Sequence, residues 1–226
     1  LGDGSHLGMQ ISCKEQFVQR GIADAFVVGE EFIGDDSACL VLGDNLFYGV
    51  GLKACLKKAQ QNKTGATIFG CYVEDPRAFG VVEFDENGHA ISIEEKPEHP
   101  KSNFVVPGLY FYDNRVVEIA KKVKPSERGE MEITSVNNVY LEYGELKVVT
   151  LGKDFIWLDA GTEDSLLQAS QVIQNLQSET GNYVACIEAE SYNNGWITFE
   201  EYRQLGVALE KTRYGKYILS KCYTCK

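Results

Sequence analysis

The sequence of 226 residues is long enough for one large domain, or for one domain with an appendage. It is 44% hydrophobic and 24% charged, which is ordinary for a soluble globular protein, and no apolar run is long enough to span a membrane. A net charge of −11 argues against a broad nucleic-acid-binding surface, so an anionic substrate must be met by local lysine or arginine side chains.

Apolar periodicity and turn residues predict strands and helices that alternate along the first part of the chain. The predicted strands are residues 9–13, 39–42, 66–73, 79–84, 90–94, 105–112, 146–151 and 154–158. The predicted helices are residues 21–34, 52–61, 115–123, 133–143, 165–177 and 199–211. Alternating strands and helices indicate an α/β layer architecture. Residues 79–94 interrupt it with a predicted β-hairpin around Asn87-Gly88.

Seven cysteines are scattered along the chain, several of them inside apolar runs where free cysteine behaves as a small hydrophobe. Because we find no signal peptide, this pattern indicates a reduced, cytoplasmic protein. Cys222 and Cys225 form a C-x-x-C pair, but no second Cys or His pair lies at zinc-finger spacing. We interpret the pair as incidental.

Two apolar runs end in an aspartate. Residues 39–42 lead into Gly43-Asp44-Asn45, and residues 155–158 lead into Asp159. The first run predicts a strand buried on both faces of a parallel sheet. Ligands of open α/β sheets bind beyond the carboxyl ends of such strands, where two carboxylates can share one Mg²⁺ beside a nucleotide's phosphates. Asp44 considered alone would be explained equally well as a turn residue or as the cap of the helix that starts near Gly51.

Two further candidates carry charge beside a turn. Glu94-Glu95-Lys96-Pro97 ends a predicted strand, and its carboxylates suit sugar hydroxyls while the lysine suits a phosphate. Arg128 precedes a predicted helix, and a guanidinium at that place could bind a phosphate bidentately. Considered singly, both features are explained more simply as solvated surface charges.

The motifs in their order resemble those of the glucose-1-phosphate thymidylyltransferases, a family of bacterial sugar nucleotidyltransferases that make dTDP-glucose for dTDP-rhamnose synthesis. The resemblance runs from Leu1 into the C-terminal tail. It is carried by Gly43-Asp-Asn-Leu-Phe-Tyr-Gly, Phe79-Gly-Val-Val-Glu-Phe-Asp, Glu94-Glu-Lys-Pro, Gly108-Leu-Tyr-Phe-Tyr-Asp, Arg128-Gly-Glu-Met-Glu-Ile-Thr and Trp157-Leu-Asp-Ala-Gly-Thr.

The resemblance implies an α/β, Rossmann-like nucleotidyltransferase fold with a mixed central sheet, helices on both faces and a β-hairpin that binds sugar. It implies a nucleotidyltransferase domain over residues 1–180, and the polar composition after Gly181 indicates an appended helical tail over residues 181–226, packed on the same domain. It also implies the substrates dTTP and glucose 1-phosphate, the cofactor Mg²⁺, and a homotetramer that binds no nucleic acid polymer and no membrane.

The resemblance further implies roles for individual residues. Asp44 and Asp159 match the Mg²⁺ ligands, and Asp44, Lys96 and Arg128 match the catalytic set. Gln16 and Gly21 match residues of the thymine pocket. The sugar-phosphate site is matched by Gly80, Glu95, Lys96, Tyr110, Arg128 and Trp157, although burial alone would also explain Trp157.

The chain departs from the family pattern in two places. Between Gln16 and Gly21 the family usually has Pro-Ser-Pro-Asp, whereas this chain has Phe-Val-Gln-Arg, which leaves the base preference open. The family's Gly-x-Gly-Thr-Arg loop, whose backbone N–H groups cradle the triphosphate, does not occur in these 226 residues. The chain opens at Leu1 without an initiator Met, like the interior of a longer protein.

We therefore expect these residues to represent a thymidylyltransferase lacking its first strands, with little or no activity by themselves. The alternatives are a non-catalytic sugar-nucleotide-binding or assembly module, and a related sugar-1-phosphate nucleotidyltransferase that uses another base. An upstream Gly-rich loop in the reading frame would favour the enzyme over the module.

Overall fold

The computed structural model describes residues 1–222, so Cys225 of the C-x-x-C pair lies outside the described residues. The chain divides into two compact units. The larger unit is Lys14–Leu166, and the smaller combines Leu1–Cys13 with the chain from Leu167 onward. The division therefore falls inside a helix that continues to Thr180. The assignment of residues 1–180 and 181–226 to separate functional regions remains a prediction.

The larger unit contains most of the regular structure. Its strands are β1 (Ala38–Val41), β2 (Asn45–Gly49), β3 (Ala66–Tyr72), β4 (Gly80–Phe84), β5 (Ala90–Glu95), β6 (Phe104–Val105), β7 (Leu109–Tyr112), β8 (Leu146–Thr150) and β9 (Phe155–Asp159). Its helices are α1 (Asp24–Val28), α2 (Glu30–Ile33), α3 (Leu52–Gln61), α4 (Val116–Ala120), α5 (Ile133–Glu142) and the first turn of α6 (Glu163–Thr180).

The main sheet is mixed, as predicted. Its strands follow the order β1-β7-β3-β6-β4-β5, and β8 pairs with β3. The β3–β8 pair is parallel, while the other pairs in this sheet are antiparallel. All residues of β3 from Ala66 to Cys71 are buried, so both faces of this central strand are covered, which agrees with its largely apolar sequence.

The expectation for β1 was partly wrong. The strand exists, but it pairs antiparallel with β7 and alternates between half-buried and exposed residues. Val41, for example, is 54% exposed. A short apolar run does not show whether a strand is buried on one face or on both. In β1 the residues on the exposed face, Cys39 and Val41, are apolar too.

Several other boundaries differ from prediction. The helix expected over residues 21–34 is two short helices separated at Gly29, and Phe32 is exposed. The strand expected over residues 105–112 is split into β6 and β7 around Pro107, which has no N–H for a ladder. The predicted hairpin is confirmed as β4 and β5, with Gly88 at φ +81° in its turn.

A second, two-stranded sheet was not predicted as such. Residues 45–49 form β2, which pairs antiparallel with β9 so that Asn45 lies opposite Asp159. Leu46 and Tyr48 follow β1 after only a short turn, and the sequence gives no sign that they leave the main sheet. This pairing joins two segments more than a hundred residues apart, which local patterns cannot reveal.

The smaller unit is helical. It contains a 3-10 turn (Ser5–Leu7), the remainder of α6, and α7 (Ile187–Asn193), α8 (Phe199–Ala208) and α9 (Arg213–Cys222). Residues 9–13, expected as a strand, form no regular structure. Instead, the backbone N–H of Met9 donates to the carbonyl of Gly4, and that of Ile11 donates to the carbonyl of Asp3. A capping box between Thr198 and Glu201 begins α8. No helix within residues 1–222 has the length and apolar character needed to cross a membrane.

Candidate active site

A cleft of about 260 Å³ in the larger unit gathers most of the residues predicted for the site. It lies beyond the end of β1, between the β2–β9 sheet, the β4–β5 hairpin and the loop that leads into α5. The predicted residues that line it are Asp44, Gly80, Glu95, Lys96, Tyr110, Arg128, Trp157 and Asp159. Residues from six separate stretches of the chain thus face one space.

The pairing of β2 with β9 brings the two aspartates together. Asp44 immediately precedes β2, and Asp159 is the last residue of β9. The backbone N–H of Ala160 donates to the carbonyl of Asp44 at 2.8 Å. A methyl group placed on Gly161 would lie 2.9 Å from Asp159 Oδ1 and 3.8 Å from Asp44 Oδ2. Both carboxylates therefore face the same small volume beside Gly161.

The donor chemistry of this pair fits Mg²⁺. Hard cations prefer oxygen ligands, and Mg²⁺ is usually held by one or two carboxylates together with substrate phosphates. The structure of residues 1–222 pairs neither Asp44 nor Asp159 with a lysine or arginine. Within the same residues, no group of three or more His, Cys, Asp or Glu side chains forms a closed metal site. The arrangement suits an open site that substrate completes.

Asn45 is an organising residue that the sequence analysis did not single out. Its Nδ2 donates to Asp44 Oδ1 at 2.9 Å. Its Oδ1 accepts from the backbone N–H of Gly108 at 2.9 Å and from Trp157 Nε1 at 2.7 Å. One amide thus connects a candidate metal ligand to two walls of the cleft. Its place in the Gly-Asp-Asn motif was the available signal.

Glu95 lines the cleft with a partly buried side chain. It is opposite Gly80 in the hairpin, and its Oε2 accepts a hydrogen bond from the Thr134 hydroxyl. A Cβ on Gly80 would lie 3.0 Å from Thr134 Oγ1 and 3.3 Å from Glu95 Oε2, so glycine keeps this approach open. Burial raises the pKa of the Glu95 carboxyl above its ordinary value, and the bond from Thr134 opposes that shift.

Lys96 has an unusual backbone for its residue type. Its φ is +44°, in the left-handed region that non-glycine residues seldom adopt. Its N–H donates to the carbonyl of Phe79 at 3.0 Å, and the buried Pro97 follows it. These constraints hold an exposed lysine at the mouth of the cleft. Strain of this kind is concentrated at functional sites.

Arg128 reaches the cleft from the loop before α5. Its guanidinium nitrogens lie 3.4 Å from Glu132 Oε1, 3.5 Å from Glu130 Oε1 and 3.9 Å from Glu95 Oε1. All three distances are longer than those of strong charge-assisted bonds. The side chain is 42% exposed. The carboxylates therefore orient the guanidinium while leaving it accessible to an anion.

Tyr110 and Trp157 form walls of the cleft. Tyr110 is 3% exposed, and burial, together with the nearby carboxylates of Glu95 and Asp44, raises the pKa of its phenol. It is therefore neutral at physiological pH. Trp157 packs edge-on against Phe79, with ring centroids 5.1 Å apart. Both residues supply shape rather than charge.

Gln16 and Gly21 line a neighbouring cavity of about 390 Å³ instead of the cleft itself. The two spaces share Ile22, Leu42 and Glu130 in their walls. Gly21 has φ +108°, and a Cβ there would lie 2.6 Å from the carbonyl oxygen of Met131. Only glycine allows this segment to contact the loop that carries Arg128. The adjoining cavities can accept two connected parts of one ligand.

Comparison with known proteins adds an independent observation. Residues 1–175 match the family model described as nucleotidyl transferase. The chain is 51% identical over 219 residues to a glucose-1-phosphate thymidylyltransferase of Neisseria gonorrhoeae, covering 97% of this chain and 76% of the relative. It is 52% identical, with the same coverage, to the protein of that name from Mycobacterium tuberculosis.

Solved structures agree with these matches. A candidate glucose-1-phosphate thymidylyltransferase from Bacillus anthracis, solved with sucrose, superposes with a TM-score of 0.67 at 38% identity. The match covers 76% of this chain and 68% of that one. A UDP-glucose pyrophosphorylase solved with UDP-glucose gives a TM-score of 0.62 at 22% identity, over 70% of this chain and 64% of that one. The latter likeness indicates the shared fold alone.

Proposed function

This chain belongs to the nucleotidyl transferase family, among the glucose-1-phosphate thymidylyltransferases, and on that premise we propose how its residues serve the reaction. The family reaction joins glucose 1-phosphate to dTTP. A phosphate oxygen of the sugar phosphate attacks the α-phosphorus, the bond to the β-phosphate breaks, and pyrophosphate leaves with dTDP-glucose as the product.

One observation carries the assignment of roles: the aspartate pair Asp44 and Asp159 and the cations Lys96 and Arg128 line one sugar-sized cleft. A phosphate monoester is already a competent nucleophile at neutral pH, so the protein needs to align it and stabilise the developing charge. Glu95 accepts hydrogen bonds from sugar hydroxyls, and Gly80 leaves room for the ring. Lys96 and Arg128 bind the phosphate of glucose 1-phosphate.

Asp44 and Asp159 are the residues that would hold Mg²⁺. When bound there, the ion would neutralise the negative charge of the nucleotide's phosphates. Asn45 orients Asp44 through its 2.9 Å hydrogen bond. The second cavity, with Gln16 and Gly21 in its wall, receives the base. Assembly as a homotetramer is a further expectation that rests on the resemblance, and a cytoplasmic location is one that rests on the pattern of cysteines.

The metal assignment is tested by Asp44→Asn and Asp159→Asn. Each change removes one anionic ligand while keeping the side-chain shape, so each should abolish most of the gain in dTTP affinity that Mg²⁺ produces. Titration calorimetry with and without Mg²⁺ measures that gain. Asp35→Asn, an exposed aspartate on the loop before β1, is the matched control. A full Mg²⁺ effect in either site variant would remove that residue from the metal site.

The overall activity is tested by product formation. The protein is incubated with dTTP, glucose 1-phosphate and Mg²⁺, and dTDP-glucose and pyrophosphate are measured. Because the triphosphate-binding loop does not occur in residues 1–226, binding of glucose 1-phosphate and of dTDP-glucose is measured in parallel. Binding without turnover agrees with the expectation for these residues alone. Absence of both binding and turnover would contradict the assignment.

A further inference from the structure

The side-chain amide of Gln16 is held in one orientation. Its Nε2 donates to Asp24 Oδ2 at 2.8 Å and lies 3.4 Å from the carbonyl oxygen of Gly21. Both neighbours are hydrogen-bond acceptors. If the amide turned over, its oxygen would face these two acceptors and no donor would remain between them. The NH₂ group must therefore point toward Asp24.

Asp24 is itself fixed in place. Its side chain is 1% exposed, and it sits at the start of α1 beside the buried residues Ala23 and Phe26. The other carboxylate oxygen of Asp24, Oδ1, lies 3.3 Å from Arg20 Nη2. The side chain of Arg20 is 58% exposed, so it approaches Asp24 from the solvent side. A buried carboxylate is tolerated only when it is paired, so the loss of either partner of Asp24 would be energetically costly.

The consequence concerns the atom that Gln16 leaves for a ligand. With Nε2 committed to Asp24, Oε1 is the part of the amide available in the cavity that Gln16 lines. Apolar side chains of Ile22, Leu40 and Leu42 contribute to the same cavity wall. A hydrogen-bond acceptor beside an apolar wall favours a planar ring whose edge carries an N–H donor.

We propose that Asp24, paired with Arg20, is a positioning residue that turns Gln16 into a hydrogen-bond acceptor and thereby selects a pyrimidine with a proton on N3. This inference rests on the proposed function, which places the base in this cavity. Thymine and uracil carry an N3–H donor, whereas N3 of cytosine is an acceptor and would oppose Gln16 Oε1. A site built for one hydrogen-bonding pattern rejects a ligand that leaves its groups unpaired.

This arrangement also bears on the departure in the sequence. Arg20 occupies the position where the family usually has aspartate, and here the arginine pairs with the carboxylate of Asp24. Base recognition therefore does not depend on the Pro-Ser-Pro-Asp segment. The Arg20–Asp24–Gln16 chain of contacts supplies the orientation of the amide.

The test is the discrimination between dTTP and dCTP by the unchanged protein and by Asp24→Asn, measured by titration calorimetry with Mg²⁺. We expect the unchanged protein to bind dTTP at least about tenfold more tightly than dCTP. An asparagine at position 24 can donate to Gln16 Oε1, so the amide can adopt either orientation. The dTTP affinity should then fall, the dCTP affinity should rise, and the ratio should shrink by about tenfold.

A purely structural role for Asp24 predicts a different result. Damage to the fold would weaken both nucleotides by the same factor and leave their ratio unchanged, and that outcome would overturn the proposal. Asp35→Asn is the control for loss of one negative charge and should keep the ratio of the unchanged protein. Glucose 1-phosphate, which occupies the other cavity, should bind Asp24→Asn normally.

Arg20→Met provides a second test if Asp24→Asn does not fold. Arg20 is largely exposed, so its replacement spares the core while loosening Asp24. We expect a smaller loss of discrimination in the same direction, and an unchanged ratio would overturn the proposal. If the unchanged protein binds neither nucleotide, or binds both equally, the proposed function of this cavity fails first. Clear preference for dTTP that survives both variants overturns this inference alone.

Discussion

At the scale of single residues, the cleft is dominated by negative charge. Its lining carboxylates outnumber its cations: they are Asp44, Glu95, Glu130, Glu132 and Asp159, against Lys96 and Arg128. An anionic substrate entering such a cleft depends strongly on the two cations. The strained backbone of Lys96 and the loose contacts of Arg128 both keep a positive group accessible. A surface charge without a function would require neither a strained backbone nor a guanidinium held by such long contacts.

We predict that Lys96→Ala and Arg128→Ala each weaken glucose 1-phosphate binding by about tenfold or more. Each change removes a charge-assisted hydrogen bond worth roughly 1.5–3 kcal/mol. Calorimetric titration should show a much smaller change for dTTP. Arg128→Lys should restore binding only in part, because an ammonium cannot reproduce the planar guanidinium.

The control for this prediction is Lys58→Ala, which removes an exposed lysine from α3 and should leave both affinities unchanged. If Lys96→Ala or Arg128→Ala weakened both ligands equally, or neither, the residue concerned would not bind the sugar phosphate.

At the scale of elements, Gly108 determines how closely β1, β2 and β7 approach one another. Its carbonyl accepts from the N–H of Leu42 at 2.9 Å, and its own N–H donates to Asn45 Oδ1 at 2.9 Å. A Cβ at this position would lie 2.6 Å from Leu42 Cγ. Leu42 lines both the cleft and the neighbouring cavity. The glycine therefore affects both packing and the shape of the site.

We predict that Gly108→Ala lowers the free energy of unfolding by about 1–3 kcal/mol, the usual cost of overpacking. It should also weaken glucose 1-phosphate binding, since Leu42 must move. Urea unfolding measures the first effect. Gly152→Ala is the matched control, because a Cβ there meets nothing within 4 Å and the backbone is not in the left-handed region. Equal stability of the two variants would contradict the packing role of Gly108.

At the scale of the whole larger unit, Asp113 joins elements that are distant in sequence. Its carboxylate accepts from the N–H of Gly65 before β3 at 2.7 Å, from the Tyr140 hydroxyl on α5 at 2.8 Å, and from the Arg115 guanidinium. Burial by itself would raise the pKa of Asp113, but these hydrogen bonds and the Arg115 charge outweigh it and lower the pKa.

We predict that Asp113 stabilises the fold above the pKa of the unfolded chain and that this stability is lost as pH falls through the lower, folded pKa. Asp113→Asn should reduce the free energy of unfolding at pH 7 by about 1–3 kcal/mol, because it weakens several hydrogen bonds. The difference in the free energy of unfolding between Asp113→Asn and the unchanged protein should shrink as the pH falls below 3.8, the ordinary pKa of aspartate.

Urea unfolding at a series of pH values measures this dependence. Asp154→Asn changes an exposed aspartate and should leave the curve of the unchanged protein in place. A difference between Asp113→Asn and the unchanged protein that stayed constant down to the lowest pH would show that ionisation of Asp113 is not the cause.

The sequence by itself determined the elements with strong local signals. The boundaries of α3, β3 and the β4–β5 hairpin agree with prediction to within about two residues, because periodicity and the Asn-Gly turn are local properties. Eight residues proposed from the motifs line the cleft, whereas Asn45 and Thr134, which also line it, were not proposed as site residues. For Glu95 and Arg128 that identification came from the resemblance, since each looked like a surface charge when considered alone.

Only the tertiary structure decided how these pieces meet. The antiparallel setting of β1, the separate β2–β9 sheet and the hub at Asn45 all depend on contacts between distant segments. So does the orientation of the Gln16 amide, which is set by a buried carboxylate at position 24 that no pattern in the sequence marks as special. Local propensity fixes which stretches are strands, but long-range pairing fixes which side chains face each other, and the chemistry of the site depends on the latter.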